Sequence, residues 1–138
     1  MTTSTDAHRA AVDVVGDFLD AVAGANLERA LALLAGDVTV HEPESLPYGG
    51  DHRGPDAFAA MLGQIAGAYR VRLDGHELHD AGDVVVAHVR CRMTSRTTGR
   101  ELDVPIIELY RVRDGRILAL DAFPKDTAAM LALHTAAG

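Results

Sequence analysis

The run from Glu101 to Phe123 reads ELDVPIIELYRVRDGRILALDAF, and at its centre Asp114-Gly115 separates two apolar stretches that alternate with period two. Asp-Gly in that setting supplies the positive-φ pair of a tight hairpin turn, so Glu101–Val112 and Arg116–Phe123 read as paired antiparallel strands. Working backward, Val71–His79 and Val84–Arg96 have the same character. They are joined at Ala81-Gly-Asp83, and the next joint is at Thr98-Gly99. The second half of the chain is therefore a four-strand meander.

The first half changes period. Between Asp6 and Ala23, the residues Ala11, Val12, Val15, Phe18, Leu19 and Val22 recur at steps of three and four, the spacing of an amphipathic helix that Thr5 or Asp6 can cap. Gly24 and Asn26 interrupt it. Asn26 can cap a second helix through Leu27, Ala30, Leu31 and Leu34, which Gly36 would stop. Val38–Glu42 alternates as a short strand. Pro43–Gly54 reads as a loop, longer than most connections in a compact domain. Pro55 suits the first turn of a third helix reaching about Tyr69, with Phe58, Met61, Leu62 and Ile65 on its apolar side. Asp126 caps a last helix, Thr127–Ala136. Helices followed by strands predict an α+β fold. The expected form is a cone: a curved antiparallel sheet wrapped around the N-terminal helices, enclosing an apolar pocket, with residues 1–138 as one domain.

Charge and composition narrow the function classes. Twenty acids stand against thirteen Lys and Arg, a formal net charge of −7, which disfavours a nucleic-acid partner. Met1–Arg9 is polar and lacks the apolar core of a secretion signal, and no apolar run approaches the ~20 residues of a membrane helix. Cys91 is the single cysteine, so no internal disulfide can form. These features predict a cytoplasmic protein with no membrane partner.

Strand alternation selects the residues that could carry chemistry. Val85, Ala87, Val89, Cys91 and Met93 share one face, while Val86, His88, Arg90 and Arg92 share the other. The apolar set predicts a pocket wall together with Phe18, Val40, Phe58, Met61, Ile107, Leu109, Leu120 and Ala122. Glu108 and Tyr110 lie opposite Ile107 and Leu109, so they are expected on the outer face with His88 and Arg90, where a second copy would pack. Glu42 shares the parity of Val38 and Val40 and should point inward. Burial there would raise its pKa toward neutrality, as a general acid or base requires. The alternative is that Glu42 pairs with Arg53 or the loop backbone. Tyr48 and His52 are candidate helpers from the loop, and Asp121 is a further acid whose face the alternation leaves open. His41 and Glu42 are adjacent and point apart, as do His76 and His79, so no metal site is expected. Cys91 reads as a buried thiol. There is no nucleophilic triad and no glycine-rich phosphate loop, and no organic cofactor is implied.

Three segments together, Phe18-Leu-Asp-Ala-Val, Asn26-Leu-Glu-Arg-Ala-Leu-Ala-Leu-Leu and Val38-Thr-Val-His-Glu-Pro43, resemble the nuclear transport factor 2-like superfamily. The Val104–Leu118 hairpin is similar to that superfamily's penultimate one. The resemblance implies the cone fold, a homodimer and a small-molecule pocket, in a superfamily that includes ketosteroid isomerases and SnoaL-like polyketide cyclases. In the isomerases the general base directly precedes a proline at the end of the first strand, which corresponds to Glu42 before Pro43. Their oxyanion-hole tyrosine corresponds to Phe18 and their oxyanion-hole aspartic acid to Ile107, so both donors would be missing. The pocket aspartate that limonene epoxide hydrolases carry on the last strand corresponds to Ala122. Taken together, the resemblance implies acid–base chemistry (isomerisation, cyclisation or dehydration) on a small apolar or moderately polar molecule. The alternatives are a non-catalytic binding protein of the same fold or an epoxide-hydrolase-like enzyme.

Overall fold

A computed structural model describes residues 4–133, with side chains from Ala11 onward. Helices α1 (Ser4–Ala23) and α2 (Leu27–Ala32) lead into strand β1 (Leu34–Glu42). A short strand β2 (Gly50–Arg53) and helix α3 (Pro55–Ala68) follow. Next come β3 (Tyr69–Asp80), β4 (Val85–Ser95), β5 (Glu101–Arg113), β6 (Arg116–Pro124) and helix α4 (Thr127–Ala132). The six strands form one sheet in the order β2-β1-β6-β5-β4-β3.

The meander stands as its turns predict. Asp114 and Gly115 both have positive φ, at 54° and 76°, the combination a right-twisted hairpin demands. The helix starts follow their caps as well: Asn26 Oδ1 accepts from the Arg29 amide at 3.1 Å, and Asp126 Oδ1 accepts from the Ala129 amide at 2.9 Å.

Several expectations need correction. The sheet is mixed, because β1 runs parallel to β6 while every other pair is antiparallel. Turn chemistry fixes the direction of hairpin neighbours only, and β1 reaches β6 across the rest of the fold. β1 also starts at Leu34, so Gly36 lies within a strand and does not stop a helix. Leu34 pairs with Ile117, and the Ile117 amide donates to the Leu33 carbonyl at 2.8 Å; this pairing to a distant strand outweighs local helix propensity. The predicted Pro43–Gly54 loop contains β2, which folds back on β1 with Glu42 opposite Gly50 and Thr39 opposite Arg53. α1 begins ahead of the proposed caps Thr5 and Asp6, whose side chains lie outside the described residues. So does the predicted end of α4, beyond residue 133.

The inner face of the sheet carries the core. Val85, Ala87, Val89, Cys91 and Met93 of β4 are all buried, as alternation requires. Val15, Phe18 and Leu19 of α1 and Phe58 and Met61 of α3 are buried with them. Phe18 is the hinge of this packing: its ring lies 5.7 Å from that of Phe58 and meets Tyr110 edge-on at 5.9 Å. Burying an aromatic or aliphatic side chain of this size contributes about 1.5–3 kcal/mol. Register shifts in β1, β3 and β5 bend the strands, and the layers do not close completely over the far rows of the sheet.

Candidate functional site

The space left between sheet and helices is a cavity of about 560 Å³, within the range of sites that enclose small organic molecules. Its position follows from the strand register. On the inner face, Val40, Leu120, Tyr110 and Val85 form one row across β1, β6, β5 and β4. In the next row, Glu108 of β5 lies between Ala122 of β6 and Ala87 of β4, and Glu42 ends β1 at the same level. Glu42 and Glu108 are thus two strands apart, about 10 Å between Cα atoms. The small alanines leave room for both side chains to project into the hollow.

Two carboxyl groups in an apolar cavity perturb each other. Burial pushes the Glu42 pKa up to about 8, and the charges of Glu108 and then Asp121 add to the effect. Glu42 makes no side-chain hydrogen bond or ion pair with any described residue, Arg53 included, so nothing offsets that rise. Burial raises Glu108 as well; the Tyr110 hydroxyl, which donates to its Oε1 at 2.6 Å, acts against the rise without cancelling it. The walls touch both carboxyls while the hollow leaves them reachable from within, so each is desolvated yet accessible to a ligand. Like charges this close cannot both ionise cheaply.

Tyr48 is brought to the same cavity. Its side chain is buried, and its hydroxyl makes no hydrogen bond to a described residue. Burial and the nearby Glu42 raise its pKa further, so the phenol stays a neutral donor. His52 is not in the cavity lining. Its Nε2 lies 2.8 Å from the Tyr48 carbonyl oxygen, and it holds the loop that carries Tyr48. Asp121 pairs with His41 on one side and Leu109 on the other, so it faces outward, and its place in the predicted site is corrected. His41 is engaged there by Asp51 at 2.6 Å. Among the described residues no group of three His, Cys, Asp or Glu could hold a metal ion.

Of the predicted wall, Phe18, Phe58, Met61, Val89, Cys91, Met93, Leu120 and Ala122 line the cavity. Cys91 is held as a thiol, with burial pushing its pKa up to about 12. Val40 is wholly buried beneath the lining, and Ile107 and Leu109 lie on the opposite face. The inward parity of β5 belongs to Val104, Ile106, Glu108 and Tyr110, which stand opposite Cys91, Val89, Ala87 and Val85. The placement of Glu108 and Tyr110 on the outer face is therefore reversed. The signal was present in the sequence: Leu102, Val104, Ile106 and Val112 share the parity of Glu108, and over the full strand they outweigh the adjacent pair Ile107 and Leu109. An acid does face the cavity on this strand, one residue beyond the position that the resemblance assigned.

Sequence and structure comparisons agree on the kind of domain. The profile of the SnoaL-like domain matches residues 15–120. None of the functionally curated proteins matches the chain. An NTF2-like protein of unknown function from Burkholderia pseudomallei K96243 is 28% identical, with a TM-score of 0.83 over 92% of this chain and 98% of its own. TerC, crystallised with polyporic acid, is 21% identical with a TM-score of 0.83, covering 91% and 98% of the two chains. A candidate polyketide cyclase from Xanthomonas campestris pv. campestris is 24% identical with a TM-score of 0.79, covering 93% and 98%.

Proposed function

We propose, for a chain that belongs to the SnoaL-like domain family, an enzyme that moves a proton on a small, mainly apolar carbonyl compound, leading to isomerisation, cyclisation or dehydration. The observation that carries this reading is the pair Glu42 and Glu108, with Tyr48, in one apolar cavity. Glu42 is the base. A carboxyl group with a pKa of about 8 is a stronger base, once ionised, than an ordinary carboxylate, and it is matched to chemistry near neutral pH. It takes a proton from the carbon next to the carbonyl, and the C–H electron pair moves into the carbon–carbon bond as negative charge develops on oxygen. Glu108 stays neutral. With Tyr110 bonded to its Oε1, its remaining oxygen can donate to that developing charge, as acids kept neutral by apolar surroundings do. Tyr48 supplies a second donor. Protonated Glu42 then returns the proton to a different carbon, or the enolate attacks a second carbonyl and closes a ring. Donors aimed at charge that appears only in the transition state contribute several kcal/mol in a dry site.

The outer sheet face supports pairing with a second copy. Ile107 and Phe123 stand opposite each other there and are 39% and 51% exposed.

Deuterium exchange tests the chemistry without knowledge of the product. In D2O, the protein should accelerate exchange next to the carbonyl of at least one member of a panel of 1-tetralone, 2-tetralone and cyclohexenone, followed by NMR. Glu42→Gln should lower that rate at least 10²-fold, the lower range for loss of a general base. If no member of the panel exchanges faster than in buffer, or if the variant exchanges like the wild type, the cavity is not an acid–base site and ligand binding becomes the better account.

A further inference from the structure

The cavity has opposite charges at its two ends. Glu42 and Glu108 are the only carboxylates among its lining residues, and the only cations are Arg70 and Arg96. The two sets are far apart. Glu108 stands opposite Ala87 on β4, whereas Arg70 stands opposite Thr94, seven residues further along that strand. At about 3.3 Å per residue this is on the order of 20 Å measured along the sheet. Between them the wall is apolar, with Leu73, Val89 and Cys91 facing inward. The arginine end is where the cavity meets solvent, since the lining residues Leu27 and Val71 beside it are 44% and 43% exposed.

The two guanidinium groups are set apart from their neighbours on the same sheet. Arg72, Arg90 and Arg92 are each paired with carboxylates, namely Asp74, Glu77, and Glu101 with Asp103. Neither Arg70 nor Arg96 has a carboxylate partner among the described residues. Arg96 is also fixed in place: its Nε donates to the Ala66 carbonyl at 2.7 Å, so its terminal nitrogens remain for another acceptor. In a chain of net charge −7, an anion is repelled by the molecule as a whole, and a local pair of cations is what would draw one to this opening.

We propose that the ligand of this cavity is an elongated, mainly apolar molecule with one anionic group, a carboxylate or a phosphate, held at the mouth by Arg70 and Arg96 while its other end meets the carboxyl pair. The proposal rests on reading the cavity as the substrate site and names the substrate class. Bound in this direction, the anionic group stays in partial contact with water and the reacting carbonyl lies at the closed end. The reverse orientation would set an anion against two acids.

The test is displacement of the neutral fluorescent probe N-phenyl-1-naphthylamine by decanoate, decyl phosphate and decanol, which carry the same alkyl chain. From the wild-type protein at least one of the anions should displace the probe at a concentration at least tenfold below that of decanol, and the better of the two identifies the head group. In Arg70→Gln/Arg96→Gln this preference should vanish while displacement by decanol is unchanged. High salt should weaken the anions and spare decanol. Equal displacement by all three ligands in the wild type overturns the proposal, as does a preference that survives in the double variant. A uniform loss of all three in that variant would show that the arginines act by packing, which also overturns it. Failure of the probe to bind the wild-type protein would remove the cavity as an apolar ligand site, and the proposal with it. The readout is binding, so a negative result in deuterium exchange leaves it standing, and the reverse is equally true.

Discussion

Glu42 shows how one residue's surroundings turn a common side chain into an unusual one. Folded, it holds its proton up to about pH 8, whereas the unfolded chain releases it near the ordinary value of 4.5. Across that window the native state binds more protons than the unfolded state, so stability is complete below about pH 4.5 and falls as pH rises through 8. The effect is on the order of 5 kcal/mol if Glu42 acts alone, and Glu108, also raised, adds in the same direction. Glu42→Gln removes the ionisation. Its Tm should match that of the wild type near pH 5 and exceed it by about 5 °C or more at pH 8.5, as read by calorimetry across pH. A wild-type Tm that stays flat from pH 5 to 8.5 would show that Glu42 is solvated. Activity should run the other way, rising with pH through about 8 as the base ionises. Stability and catalysis therefore oppose each other at this residue.

The element that delivers Tyr48 is the turn between β1 and β2, and its shape depends on one glycine. A Cβ on Gly49 would meet the Pro43 carbonyl oxygen, and would lie 2.8 Å from the Glu44 Cα and 2.9 Å from the Leu46 carbonyl oxygen. All of these are backbone atoms, which cannot swing away as a side-chain tip can. Gly49→Ala should therefore open the turn, cost about 1–3 kcal/mol in urea denaturation and loosen the His52 contact to the Tyr48 carbonyl. Gly63→Ala on α3, where no atom lies within 4 Å of the added methyl, is the control expected to leave stability unchanged or slightly raised. If the two variants melt alike, the turn is not closely packed and Tyr48 is not held by it.

For the whole molecule, the two faces of one sheet divide the work. The inner face, with the helices, forms the cavity, and the outer face offers Ile107 and Phe123 to a partner. Light scattering at micromolar concentration should give twice the chain mass of 14.6 kDa, and Phe123→Asp should return the monomer while leaving the cavity intact. A wild-type protein that scatters as a monomer would overturn the dimer. The fold class, the hairpin at Asp114-Gly115, the caps at Asn26 and Asp126, and the inward direction of Glu42 were all determined by the sequence alone. Each depends on neighbours within a few positions along the chain, where turn geometry and period two or 3.6 decide the outcome. The tertiary structure decided what depends on contacts between distant segments: the parallel pairing of β1 with β6, the strand hidden in the long loop, the outward turn of Asp121, and above all the parity of β5. Ile106 and Ile107 are adjacent and equally apolar, so locally either could face the core. Pairing with β4 turns Ile106 inward, and with it Glu108 and Tyr110, because side chains opposite one another on paired strands must share a face.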